Sequence, residues 1–288
     1  MSRDVMWLTR RLSARVRRRL RTSRQDLILA GLDVANAIGV EIGPLDRPLV
    51  PRNAGRVFYA DHASAASLRE KYKNDPAVNV DNIQEVDIVC KDATLSDALK
   101  DKVDYVVASH VIEHVPDLIG WLDDIRRILK PEGSLRLAIP DRRYTFDYLR
   151  RETDLAELID AHLQRPTKPL PRMMLDFLLH YRVVDMYDAW GGPISVRSLG
   201  PVPNPADVIA TVKDAIKNGT YIDIHCSVFT PRSFVDLFAE AASIGLIKYR
   251  CDRFVTTRRY DLEFFVHLSP CEDTDEIAKS WRMARRKA

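Results

Sequence analysis

Three histidines stand where an imidazole could move a proton near neutral pH: His110, His114 and His225. His110 follows the apolar run Val103–Ala108 after one residue, Ser109. His114 comes next, in Glu113-His114-Val115-Pro116-Asp117. His225 lies in Asp223-Ile224-His225, where an extended chain puts Asp223 and His225 on one side. A base with an orienting carboxylate has that form. His110 is read as a base or acceptor contact. His114 opens a helix and suits a structural role equally. His225 is read as a base or as a buried, hydrogen-bonded histidine. His110, Glu113 and His114 would share a divalent cation only if their loop folded back. Residue identity without geometry is thin ground for that, so no metal ligand is assigned.

A second set of residues is acidic. The apolar runs end in Glu41-Ile42-Gly43-Pro44, Asp61-His62, Asp87 to Asp92, Ser109-His110 and Pro140-Asp141, and four of these five ends carry an acid. In an open α/β sheet, ligands bind beyond the carboxyl ends of the strands. Acids there oppose a pyrophosphate and suit a cationic ligand with free ribose hydroxyls. The first turn, Glu41-Ile-Gly-Pro-Leu-Asp-Arg-Pro48, has one glycine, and Pro44 removes a backbone donor. A nicotinamide dinucleotide site wants G-x-G-x-x-G, so an oxidoreductase of that type is disfavoured. Gly43 lets a ligand approach the backbone. Glu41 either meets a cationic centre or caps the turn. Asp61, with His62 beside it, lies about 20 residues on, where an acid accepts from ribose hydroxyls; a helix cap is its other reading. Asp87 or Asp92, the latter followed by the small Ala93, is placed to meet an adenine amino group. Asp141-Arg142-Arg143-Tyr144 contacts an anionic or sugar acceptor, or is a solvated turn.

These residues need elements to hold them. Short runs at Ala37–Ile42, Arg56–Ala60, Ile83–Val89, Val103–Ala108 and Ser134–Ile139 predict strands. Helices are predicted around Ser64–Tyr72 and along Leu118, Leu122, Ile125 and Leu129, the latter ended by Pro131 and Gly133. This alternation implies a doubly wound, mostly parallel sheet with right-handed crossovers. Residues 141–222 break the rhythm. Their proline-rich joints predict a helical cap, with helices near Pro171–Met186 and Pro205–Lys217. Asn204 and Gly219 cap the second. Thr230-Pro231 starts another helix and Gly245 stops it. Tyr249–Val255 and Leu262–Leu268 predict an antiparallel hairpin. Trp281–Ala288 is basic and expected to fray.

The chain, 288 residues with 46% hydrophobic and 30% charged, can bury a sizeable core unaided. Its net charge of +3 hides an asymmetry. Nine arginines, from Arg3 to Arg24, face the single acid Asp4. Val5, Leu8, Leu12, Val16 and Leu20 recur at helical spacing among them. Residues 1–30 are therefore read as a basic amphipathic arm and 31–288 as the main domain. The arm is a solvated helix packed on the domain, a peripheral contact with an anionic membrane through Trp7, or less readily an RNA contact. The rest is mildly acidic, so nucleic acid is not the expected partner. The four cysteines have no CxxC spacing, and no signal peptide or membrane span precedes them. A cytoplasmic setting is expected, bordering the inner face of the membrane if the arm docks there. Oligomeric state is not legible.

The stretch Val103–Tyr148 resembles the class I S-adenosylmethionine-dependent methyltransferases of the small-molecule and sugar type, which carry a strand, E-H-V/L-x-D, a helix, L-K-P-G-G and a strand ending in proline. Here these read Glu113-His114-Val115-Pro116-Asp117 and Leu129-Lys130-Pro131-Glu132-Gly133. The resemblance covers residues 37–140 and 228–268. It departs in lacking G-x-G and in Glu132. It implies S-adenosylmethionine as cofactor. Glu41 and Gly43 would line its methionine end, Asp61 its ribose and Asp87 or Asp92 its adenine. Ser109 and His110 would flank the methyl group. The implied reaction is O-methylation of a sugar or glycan-precursor hydroxyl. Phenol-like acceptors, RNA and a catalytically silent cofactor-binding module are the alternatives.

Overall fold

The computed structural model describes residues 22–90 and 94–288. The helix expected over Val5–Leu20, Asp92 and Ala93 lie outside the described residues. In chain order the elements are α1 (Arg24–Ile28), β1 (Ile38–Ile42), β2 (Arg56–Asp61), α2 (Ala65–Tyr72), β3 (Ile88–Val89) and α3 (Leu95–Ala98). Then come β4 (Val103–Ser109), α4 (Leu118–Ile128), β5 (Leu129–Pro140), α5 (Leu155–Gln164), α6 (Pro171–His180), α7 (Met186–Gly191) and α8 (Pro205–Asn218). The chain closes with α9 (Pro231–Ser243), β6 (Tyr249–Val255), β7 (Glu263–Pro270) and α10 (Thr274–Arg285).

One seven-stranded sheet runs β3-β2-β1-β4-β5-β7-β6. The first five strands are parallel, and β7 pairs antiparallel with both β5 and β6. The chain leaves β1 toward β2 and β3, then returns to β4 on β1's other side. This reversal opens a crevice at the carboxyl ends of β1 and β4. The doubly wound, mostly parallel sheet predicted from alternation is present, as is the hairpin.

On one face Val106, Leu137 and Val266 pack with α4, α9 and α10. α4 alone buries Leu118, Ile119, Leu122, Ile125 and Ile128, each worth about 1.5–3 kcal/mol on burial. The opposite face, with Tyr59, Tyr105 and Phe265, is covered by Leu27 and Ile28 of α1 and by Leu49 and Val50. Those last two belong to the β1–β2 connection, which contains no helix. Part of the expected arm, residues 24–28, is thus packed on the sheet.

Three local expectations are corrected. The single helix expected near Pro171–Met186 divides into α6 and α7, because Arg182 donates to the carbonyls of Leu179 and Tyr181 and Asp185 caps a new helix. β3 is shorter than Ile83–Val89, since the Asp87 carboxylate takes the Tyr59 amide that a longer ladder would use. Of the C-terminal residues expected to fray, 281–285 belong to α10, whose Trp281 is 1% exposed and donates to the Tyr249 carbonyl. Residues 141–222, read from sequence as a helical insertion, hold α5 to α8, and Met174 of α6 and Val212 and Ala215 of α8 build a small core with Ile224 and Cys226.

Among the described residues no helix is long and apolar enough to cross a membrane.

Candidate active site

Gly43 ends β1 in the left-handed region, at φ 65°. A Cβ there would meet only a Val111 methyl, at 3.3 Å. The backbone is therefore bare at the sheet's switch point. Asp61 closes β2 and is 7% exposed. Its Oδ1 accepts from the His62 amide at 2.7 Å, and His62 Nδ1 lies 2.6 Å from the same oxygen. The described crevice thus offers a bare turn and a carboxylate one strand over, and among the described residues no arginine or lysine forms an ion pair with Asp61. That arrangement fits a ribose and a sulfonium cation.

Glu41 lies differently from its sequence reading as a ligand contact. It is 2% exposed, and its two oxygens accept from the amides of Leu49 and Val50 at 2.7 and 2.8 Å. It anchors the helix-less β1–β2 connection from beneath. Burial raises its carboxyl to about 7, against the lowering pull of those two amides and Arg24. Asp87 likewise turns to the backbone of Tyr59 and to Arg52.

The β4 end carries Ser109 and His110, the latter at φ 54°. His110 Nε2 lies 3.0 Å from Glu263 on β7, and Nδ1 lies 3.4 Å from Glu113. Arg24, on α1, donates to both oxygens of Glu263 at 2.7 and 2.9 Å and also to Ser109 Oγ. Desolvation pulls the His110 pKa down, but the two carboxylates win and raise it to about 9. Those carboxylates favour the protonated ring, which suits donating a hydrogen bond more than accepting a proton.

Beneath His110 lies Glu113, fully buried in the short turn Ile112–His114. The backbone carbonyl of Glu113 accepts from Cys226 and Ser227, which brings the segment after the insertion against the β4–α4 loop. That contact places His225 edge-on to His114, with ring centroids 4.7 Å apart. His225 does not pair with Asp223. Its Nδ1 contacts Asp147 at 2.6 Å, while Asp223 sits 3.0 Å from His114 Nδ1 and 2.8 Å from Lys71. Those contacts hold the Asp223 carboxyl well below its usual range. Asp147 is fixed in turn by Arg150, which is 1% exposed. No local spacing links Asp147 to His225, so this partner was missed. Arg24 and Glu263 were missed for the same reason.

Asp141 is fully buried and accepts from Arg143 and Thr257. Arg142 holds the Tyr148 carbonyl. Tyr144 stacks on Trp190 of α7, with centroids 4.0 Å apart and planes 6° apart, and Tyr260 of the β6–β7 connection lies 6.3 Å from Trp190. An aromatic platform built partly by the insertion therefore stands beside the carboxyl end of β5. A separate recess, lined by Ile119, Arg126, His162 and Lys248 among others, lies against α4 and holds none of these residues.

Residues 21–186, more than half of the chain, match the model of a family described as a methyltransferase domain, and the chain belongs to that family. It is an S-adenosylmethionine-dependent methyltransferase of class I. No curated protein matches it in sequence. Similar solved structures include a provisionally named Zn-dependent alcohol dehydrogenase from Rhodobacter sphaeroides, at 14% identity and TM-score 0.46, covering 87% of this chain and 91% of that one. The CcbJ methyltransferase from Streptomyces caelestis aligns at 13% identity and TM-score 0.39, covering 87% and 97%. The mitomycin 7-O-methyltransferase MmcR aligns at 12% identity and TM-score 0.39, covering 86% of this chain but 53% of its own. Likenesses this distant carry no functional argument.

Gly43→Val is expected to weaken binding of S-adenosylhomocysteine by about tenfold or more, roughly 1.4 kcal/mol. The added left-handed strain costs about 1–2 kcal/mol of stability. Calorimetric titration beside thermal melting checks this. Unchanged affinity would remove the β1 turn from the cofactor site.

Proposed function

We propose that this methyltransferase transfers the methyl group to a hydroxyl of a sugar or glycan precursor. The observation that carries the reading is the platform of Tyr144, Trp190 and Tyr260 beside the exposed guanidinium of Arg143, which the buried Asp141 holds in place. Aromatic faces cover the apolar side of a sugar ring, and fixed carboxylates and guanidinium groups take its hydroxyls. The cofactor, when bound, supplies the electrophilic methyl group. The chain's own residues align the acceptor oxygen in line with that methyl, exclude water and assist loss of the hydroxyl proton. His110, His114 and His225 stand around that position, with His110 as a hydrogen-bond donor and Asp147 fixing the ring of His225. In this reading the arginine-rich arm meets an anionic membrane surface where a lipid-linked glycan would be presented.

The test has two stages. Purified protein is titrated with S-adenosylhomocysteine, with NAD as control. Labelled S-adenosylmethionine is then offered with nucleotide sugars, short glycans and phenols. The expected outcome is binding of the first ligand alone and label in a sugar hydroxyl. Trp190→Ala should raise the acceptor KM by about 3–10-fold and leave cofactor affinity unchanged. Label in phenols only would replace the sugar reading, and cofactor binding without any turnover would favour the silent module.

A further inference from the structure

We infer that Glu113, His114 and His225 form a binding site for one divalent transition-metal ion of the first row, although sequence alone assigned no metal ligand. One ligand atom from each of the three lies within 4.8 Å of those of the others. An ion at about 2.0–2.2 Å from each would need only a small inward contraction of these side chains.

Three further observations point to an ion. Glu113 is fully buried, and neither of its carboxylate oxygens has a hydrogen-bond partner among the described residues. The nearest ring nitrogens are His110 Nδ1 at 3.4 Å and His225 Nε2 at 3.9 Å. Buried polar groups are almost always hydrogen-bonded, and a bare carboxylate at the floor of a pocket asks for a cation. His225 is engaged through Nδ1 by Asp147, which turns Nε2 toward Glu113. That carboxylate–histidine pairing is the outer-shell arrangement that orients metal-ligating imidazoles. His114 has a carboxylate of its own, Asp223 at 3.0 Å from Nδ1, and Lys71 fixes Asp223 in turn.

The donor set selects the metal class. Two imidazoles and one carboxylate suit Zn²⁺, Co²⁺, Mn²⁺ or Fe²⁺, whereas Mg²⁺ and Ca²⁺ prefer oxygen ligands throughout. Glu113 and His225 form the floor and His114, 32% exposed, the rim. An ion therefore has a way in from the crevice and keeps a coordination position facing it. Phe146 packs on His225 with centroids 4.6 Å apart and Phe177 at 6.4 Å, so the inner side is apolar. At the open position a metal would polarise an acceptor hydroxyl and ease loss of its proton. That use rests on the methyl-transfer reading above, but ion binding itself does not. The competing account is that the His110 imidazolium alone balances Glu113, and it requires that no ion binds.

The test needs neither cofactor nor acceptor. Chelator-stripped full-length protein is titrated with Zn²⁺ by calorimetry and with Co²⁺ by visible absorption. One ion per chain is expected, at micromolar or tighter affinity, with a rise in melting temperature. His114→Ala, at the rim, should weaken binding more than about tenfold, as should Glu113→Gln and His225→Ala. Glu240→Gln, an exposed acid on α9, should leave it unchanged. The inference is overturned if the stripped wild-type chain takes up neither ion at submillimolar concentration. It is also overturned if folded His114→Ala and Glu113→Gln bind as the wild type does. Failure here would leave the S-adenosylhomocysteine titration, and with it the methyl-transfer reading, untouched.

Discussion

Replacing Arg150 by alanine should cost the fold about 3–5 kcal/mol, the usual loss when one partner of a buried ion pair is removed. Arg150 is 1% exposed, donates to Asp147 and Asp176 at 2.8 Å each, and lies over the Phe177 ring at 5.3 Å. The variant leaves Asp147, 2% exposed, with His225 as its remaining side-chain partner, and opens space beneath α6. Burial already works to raise the Asp147 carboxyl, and only His225 and Arg150 hold it down. With Arg150 gone, a proton on Asp147 becomes easier to hold, and His225 loses its fixed orientation. Urea denaturation should show a lower midpoint with an unchanged slope. Arg150→Met combined with Asp147→Asn should recover part of the loss, because it removes both charges together. A loss under about 1 kcal/mol, the range of exposed pairs, would mean that water reaches this cluster.

The second large effect is a pH dependence. The Glu41 carboxyl, ordinarily at 4.5, is raised to about 7 in the fold, chiefly by burial. A carboxyl raised in the native state binds a proton there that the unfolded chain has released. Its contribution is fully present below about pH 4.5 and is lost as pH rises toward 7. A shift of this size corresponds to about 3 kcal/mol. Glu41→Gln does not titrate, and its amide oxygen still accepts one of the two amides from Leu49 and Val50. Measured relative to wild type, the variant should gain about 3 kcal/mol between pH 4.5 and 8. Denaturation curves at several pH values for both proteins check this, since all other groups cancel in the difference. Parallel curves would show that the two amides keep Glu41 ionised throughout, and that burial is outweighed.

Both effects concern residues whose partners no local pattern disclosed. Strands β1, β2 and β4 sit within about a residue of their sequence readings, since alternation and turn residues act over a few positions. Asn204 and Gly219 bound α8 and Thr230 caps α9, as expected, because a cap bonds only to its own first or last turn. The family also followed from sequence, through the motifs Glu113–Asp117 and Leu129–Gly133. Glu41 was legible as an acid that meets a cation or caps the turn, but not as the anchor of Leu49 and Val50. Its role depends on a β1–β2 connection that forms no helix and must be tied down from below.

Sequence by itself determined the order of strands and helices along the chain and the family to which the chain belongs. Each follows from residue periodicity or from short motifs that fold within one or two turns. Tertiary structure alone decided that Asp147 rather than Asp223 orients His225, that Arg24 reaches Ser109 and Glu263, and that His114 and His225 close over a bare Glu113. His225 and Asp147 stand 78 residues apart in the chain. The insertion between them is folded back by backbone bonds from Cys226 and Ser227 to Glu113. Such contacts arise from how whole elements pack, and side-chain spacing along the chain carries no record of them.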